Sequence, residues 1–243
     1  MANPAVPKAA KSTTPKLTAP QTAKRKEDET EKAALIYEYT VVSAHSLWEA
    51  CMVAKVARGN PRGVLTDSEQ DLLRAMMVMA ASGLDSALKQ LVRDCIGKLI
   101  RKSAGVHDTF EKFVLGKIRI DDGGSTAINS KFLANILVAP DMHSKLIDSF
   151  IYELTGDSLQ SAEQILKIGA AFLLEPKTIA PDIKKLKEAF SVRNQIIHEL
   201  DMNLESPIRK RRVRGQDDLK NATLLLLTTC RVFIESVDQK IGT

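Results

Sequence analysis

Aromatic residues make up only 5% of this 243-residue chain, and the apolar/polar alternation that marks a half-buried strand is almost absent. That excludes a β-sandwich or barrel and leaves a core of Leu, Ile, Val, Ala and Met carried on helices. No run approaches the roughly 18 consecutive apolar residues of a membrane span, and no apolar stretch follows the first charges as in a secretory leader. Three cysteines, Cys51, Cys95 and Cys230, sit singly inside apolar helical runs without CxxC or Cys/His ligand spacing. They read as small core residues in a reducing cytoplasm, not as a disulfide or zinc framework. Neither a GxSxG elbow nor a GxxxxGK[ST] loop occurs, so Ser-hydrolase and P-loop ATPase chemistry have no carrier. His107 and His143 read as lacking a carboxylate or cysteine at ligand spacing, and neither a metal nor a cofactor is expected.

What is present is a soluble globular balance, 44% hydrophobic and 27% charged, with a formal charge of +5. The basic residues cluster: 7 of 35 Lys and Arg fall in the first 32 positions, and Arg209, Lys210, Arg211, Arg212 and Arg214 form a second block. A nucleic-acid partner is favoured by that pattern. Residues 1–31 are rich in Pro, Ala, Thr and Lys, with too little apolar mass to offset ordering entropy, and read as a disordered basic tail. One helical domain is expected over 32–243.

Within it, Tyr37, Val41, Ala44, Trp48 and Cys51 predict a first core helix from Lys32 to about Arg58. His45 and Trp48 suggest a base-stacking site, although a tryptophan in this stripe is more simply core. Thr66 to Glu69 is a capping box opening a long helix to about Lys102, with Met77, Ala80, Leu84, Leu88, Leu91, Cys95 and Leu99 inside and Gly83 marking a kink or a close contact. Asp85 and Lys89 read as a surface i, i+4 pair. Residues 103–178 are less regular and predict a helical insertion of shorter segments near 107–115, 130–138, 142–154 and 158–174, with breakers at SAGVH and DDGGS. A last helix, capped by Asp217 or Asp218, carries Leu219, Ala222, Leu226, Cys230, Phe233, Val237 and Ile241. Four long helices, two on each side of the insertion, make a bundle.

The penultimate helix, Pro181 to Asn203, has apolar positions at Ile183, Leu186, Phe190, Ile197 and Leu200, and between them R-N-Q-I-I-H, residues 193–198. Asn194 and His198 are four apart and share a face, while Arg193 stands about 140° round the helix from His198. An imidazole that exchanges protons near neutrality beside a permanently cationic guanidinium suits phosphodiester cleavage in RNA. His198 would move a proton to or from the 2′-hydroxyl or the leaving oxygen, and Arg193 would stabilise charge on the phosphate. The expected ends are a 2′,3′-cyclic phosphate and a 5′-hydroxyl.

Arg193, Asn194 and His198, late in an amphipathic helix and followed by a basic loop and a final long helix, resemble the HEPN superfamily of ribonucleases. Its signature is an arginine, four to six residues, then a histidine, often with a polar residue directly after the arginine. The resemblance covers the four long helices; residues 1–31 and 103–178 have no counterpart in it. It implies an all-α, HEPN-like bundle and a metal-independent endoribonuclease whose site forms where two motif helices face each other in a homodimer. It further implies a role as toxin or antiviral effector, which would bring an antitoxin or sensor partner. A second pair, Arg101 and His107, lacks an amide after the arginine and spans Gly105, where the long helix ends.

Arg209 to Arg214 are assigned to the RNA backbone through counterion release, the alternatives being a solvated face or a localisation signal. For the whole chain the competing class is a non-catalytic helical adaptor or an RNA- or nucleotide-binding module.

Overall fold

The computed structural model describes residues 17, 22–59, 63–122 and 125–243. Among these the chain is all-α apart from one small hairpin, in the order α1 (Glu31–Ala57), α2 (Asp67–Lys102), α3 (Ala104–Ile118), β1 (Arg119–Asp122), β2 (Ser125–Ile128), α4 (Ser130–Leu137), α5 (Met142–Thr155), α6 (Ala162–Ala171), α7 (Pro176–Ile179), α8 (Ile183–Glu199) and α9 (Gln216–Gly242). The four long helices expected from the apolar spacing are α1, α2, α8 and α9. None of the described helices is long and apolar enough to cross a membrane.

α2 is the central member, packed by α1, α9, α8, α3 and α5. It begins where the sequence signals: the Thr66 hydroxyl accepts the Glu69 N–H and the Glu69 carboxylate accepts the Thr66 N–H. All seven of its predicted core residues are buried, as are Tyr37, Ala44, Trp48 and Cys51 of α1 and Leu226, Cys230, Phe233, Val237 and Ile241 of α9. Each fully buried large aliphatic side chain contributes about 1.5–3 kcal/mol of transfer free energy. Trp48 is a core residue, 1% exposed, with the Lys220 ammonium 5.2 Å from its ring centre; it offers no stacking platform. α9 starts from Gly215 without a side-chain cap. Asp217 and Asp218 lie inside its first turn, where a carboxylate complements the helix dipole instead of capping.

Two expectations change. The segment 103–178 contains α3 to α6 near the four expected positions, but α7 falls where the closing stretch 175–181 was read, and residues 119–122 pair antiparallel with 125–128, Arg119 opposite Ile128. Gly-Gly between short β-prone runs is the sequence signal of that pairing. Phe150, Leu154, Ile165, Ile168 and Phe172 of this segment join the same apolar core as the long helices. Most of the 1–31 tail lies outside the described residues, yet from residue 22 the chain is held. The Asp238 carboxylate of α9 accepts the N–H groups of Lys26 and Glu27, each at 2.9 Å, and the Thr30 hydroxyl at 2.7 Å.

Gly83 marks a close contact between α1 and α2. A Cβ at this position would enter the space of the Thr40 side chain, itself buried and bonded to the Ile36 carbonyl. Gly83→Ala is expected to destabilise by about 1–3 kcal/mol despite its better helix propensity, read as a lower urea midpoint at unchanged m-value; an unchanged or raised midpoint would refute the contact.

Candidate functional site

The buried side of α8 follows the stripe read from the sequence as far as Phe190 and then departs from it. Leu186, Ala189, Phe190 and Ile196 are buried, whereas Ile197 is 37% and Leu200 68% exposed. Steps of 3.6 residues from Leu186 run through 189–190, 193 and 196–197. Arg193 therefore falls on the inward side and is partly buried. The Arg193 Nη1 donates to Asn194 Oδ1 at 2.9 Å, and its Nε is buried without a partner among the described residues. Burial holds the guanidinium below its ordinary pKa, opposed by the nearby Asp85 carboxylate.

Asp85 is more than half of a surface pair. It binds Lys89 at 3.0 Å and also accepts the Leu159 N–H at 2.9 Å. Asn194 Nδ2 donates to the neighbouring Gln160 carbonyl at 3.3 Å. The α5–α6 connection is thus pinned from both α2 and α8, and Asn194 both orients Arg193 and anchors that connection.

The next face of α8 lines an open pocket of about 440 Å³. Phe190, Asn194 and His198 stand one turn apart on its wall, with the start of α6 from Ser161 to Glu163 opposite. His198 is exposed, so its imidazole is free to meet a substrate. Arg193 is not among the lining residues; a single chain brings Asn194 and His198 to the pocket and leaves Arg193 behind them. Two carboxylates line it, each with a cation: Glu163 with Lys187 at 2.7 Å and Glu199 with Arg212 at 2.8 Å. The Lys187 hydrogen bond, helped by backbone donors at the start of α6, holds the Glu163 pKa down to about 2.

Past His198 the chain turns through two successive left-handed residues, Leu200 at φ 50° and Asp201 at φ 57°. The N–H groups of both go to the Gln195 carbonyl. Asp201 is 0% exposed, and its carboxylate binds Arg74 Nε of α2 at 2.8 Å and Arg214 Nη2 at 2.6 Å. Arg214 also reaches Gln195 Oε1 at 2.6 Å, and Arg74 holds the Arg212 carbonyl at 2.8 Å. Burial alone would raise the Asp201 pKa; the Arg214 and Arg74 hydrogen bonds outweigh it and hold the carboxyl below its ordinary value.

This network divides the basic loop. Arg214 is structural, Arg211 binds Asp71 at 2.7 Å, and Arg212 binds Glu199. Arg209 and Lys210 are exposed, and no side-chain hydrogen bond or ion pair engages them among the described residues. They stand on an excursion closed by the Met202–Arg211 bridge. Of the five residues assigned to the RNA backbone, Arg209 and Lys210 have no side-chain partner among the described residues, while Arg211, Arg212 and Arg214 have carboxylate partners.

Sequence reasoning missed Asp201, Arg74, Gln195 and Glu199, and the second role of Asp85 as acceptor for the Leu159 N–H. Arg74 had a signal, a charge beside Leu73 in the helix's buried run, which demands a buried partner. The statement that His107 lacks ligand-spaced carboxylates also needs correcting, since His107, Asp108 and Glu111 on α3 place ligand atoms within 4.8 Å of one another, all exposed. The Arg101–His107 pair does straddle a helix break, at Ser103 between α2 and α3.

Removing the Asp201 carboxylate leaves Arg214 without its carboxylate partner and Arg74 with Asp71 alone, at 3.0 Å. Asp201→Ala is expected to cost about 3–5 kcal/mol, measured by chemical denaturation. A carboxyl lowered by folding stabilises above its unfolded pKa, 3.8, and loses that contribution as pH falls below it. The variant's deficit should therefore be full at pH 6–7 and shrink under acid; a deficit that grows toward low pH would contradict the clamp.

No protein-family model, curated protein or solved structure matches this chain.

Proposed function

We propose that the protein is a metal-independent endoribonuclease of HEPN type, acting as a homodimer. The observation that carries this reading is the exposed imidazole of His198 on the wall of a pocket it shares with Asn194, beside a loop bearing the free cations Arg209 and Lys210. In this scheme one His198 takes the proton of the 2′-hydroxyl, whose oxygen attacks the adjacent phosphorus. The bond to the 5′-oxygen breaks, and His198 of the second copy protonates the departing oxygen. The products are a 2′,3′-cyclic phosphate and a 5′-hydroxyl. Arg193, with its unpartnered Nε, supplies positive charge behind Asn194 and turns toward the phosphate once RNA and the second copy are in place. A toxin or antiviral role, restrained by an antitoxin or sensor, fits an enzyme of this type.

One observation favours a second reading, a non-catalytic RNA-binding module or adaptor: Arg193 bonds Asn194 and does not line the pocket. One experiment separates the two. Purified protein is incubated with total RNA and with single-stranded DNA, with and without EDTA, beside the His198→Ala variant. The nuclease reading expects RNA-only cleavage, unaffected by chelator, falling at least about 100-fold in the variant with RNA binding kept. RNA binding without cleavage by the parent protein would establish the module instead, and cleavage abolished by EDTA would overturn both.

A further inference from the structure

Three of the five basic residues after α8 are already occupied by carboxylates, but not to the same depth. The Arg214 and Arg74 bonds to Asp201 lie in the interior, with side-chain exposures of 17%, 4% and 0%. The other two pairs stand at the surface. Arg211 and Asp71 are 36% and 49% exposed, and Arg212 and Glu199 are 23% and 36% exposed; Asp71 also accepts from the buried Arg74 at 3.0 Å, so it can release Arg211 and keep a cation. Exposed pairs of this kind contribute only about 0–1 kcal/mol, so another anion can displace the carboxylate, whereas the interior clamp keeps the backbone of the loop in place.

The position of the outer pairs matters as well. Glu199 lines the pocket that holds His198, so Arg212 is one ion pair away from the pocket wall. Arg211 sits at the base of the excursion that carries Arg209 and Lys210. A fork of N–H donors satisfied by a carboxylate is equally satisfied by the oxygens of a phosphodiester. We propose that Asp71 and Glu199 act as built-in substitutes for phosphate: they occupy Arg211 and Arg212 in the free protein and yield them to a single-stranded RNA backbone, thereby setting the affinity of the site.

This regulation rests on the RNA reading above but not on catalysis. Arg209 and Lys210 make the first contacts, and each displaced carboxylate adds one guanidinium–phosphate contact. The affinity observed for the parent protein is lowered by the two exchanges.

The test uses a fluorescent 12-nucleotide 2′-O-methyl RNA, which lacks the attacking hydroxyl, so binding is read by anisotropy with no cleavage. Glu199→Gln and Asp71→Asn are each expected to tighten binding about 3- to 10-fold. Because the same phosphate contact forms in parent and variant, the slope of log K against log salt should change by less than about 0.7, the single-strand increment for one added contact. Glu205→Gln removes the same charge from the same excursion, where the exposed Glu205 engages no cation among the described residues, and should change affinity less than 2-fold. Adding Arg212→Ala to Glu199→Gln should abolish the gain.

Parent-like or weaker affinity in both single variants overturns the proposal, and so does an equal gain in Glu205→Gln, which would show net charge alone. If the parent binds and the variants bind no better, only this inference falls. If neither parent nor variants bind the probe, the RNA reading falls with it.

Discussion

A carboxylate with no exposed surface, Asp201, governs how the functional end of the molecule is built. Isolated in the interior it would stay protonated or unfold the turn around it. Two guanidiniums, one from the central helix and one from the approach to α9, make its charge tolerable. Because Asp201 stands three residues beyond His198, the same contacts fix where α8 stops and in which direction the chain leaves. They also fix where the basic excursion is presented. Neither left-handed residue at the turn is glycine, so the turn is held by its partners and not by permissive backbone.

α8 carries two kinds of residue on adjacent faces. The inward face takes Leu186, Phe190 and Ile196 together with Arg193, whose charge is eased by Asn194 and the nearby Asp85. The outward face takes Asn194 and His198. Asn194 belongs to both, since one end of its amide meets Arg193 and the other the Gln160 carbonyl. A single amide thereby ties a partly buried cation to the α5–α6 connection. The energetic cost of the arrangement is the unsatisfied Arg193 Nε, a donor that awaits an acceptor.

The long helices were legible because their signals are local. The Thr66 capping box and the three- and four-residue steps through α2 and α9 state where a helix starts and which side it buries. The site was legible only in part. Asn194 and His198 on one face follow from a four-residue separation, and so does the displacement of Arg193. Which face turns inward does not, because 3.6-residue spacing cannot choose between Ile196 and Ile197 without knowing where α2 lies. Which cations of the basic loop carry carboxylate partners could not be read from the sequence for a related reason. Arg211, Arg212 and Arg214 look alike in a run of cations, and only partners as remote as Asp71, 140 residues away, distinguish the bound from the free. The paired strands at 119–122 and 125–128 were missed because the stretch was read only as a helix breaker.

The Asp238 carboxylate gathers two backbone N–H groups and a hydroxyl from positions more than 200 residues upstream. The strand-like lead-in at residues 22–27 consequently lies against the last turns of α9, and Thr22 and Thr243 border one common cavity. Topologically the described chain is almost a closed ring. A short bridge across that gap, with a new opening cut in an exposed connection elsewhere, would leave every helix contact of the bundle where it is.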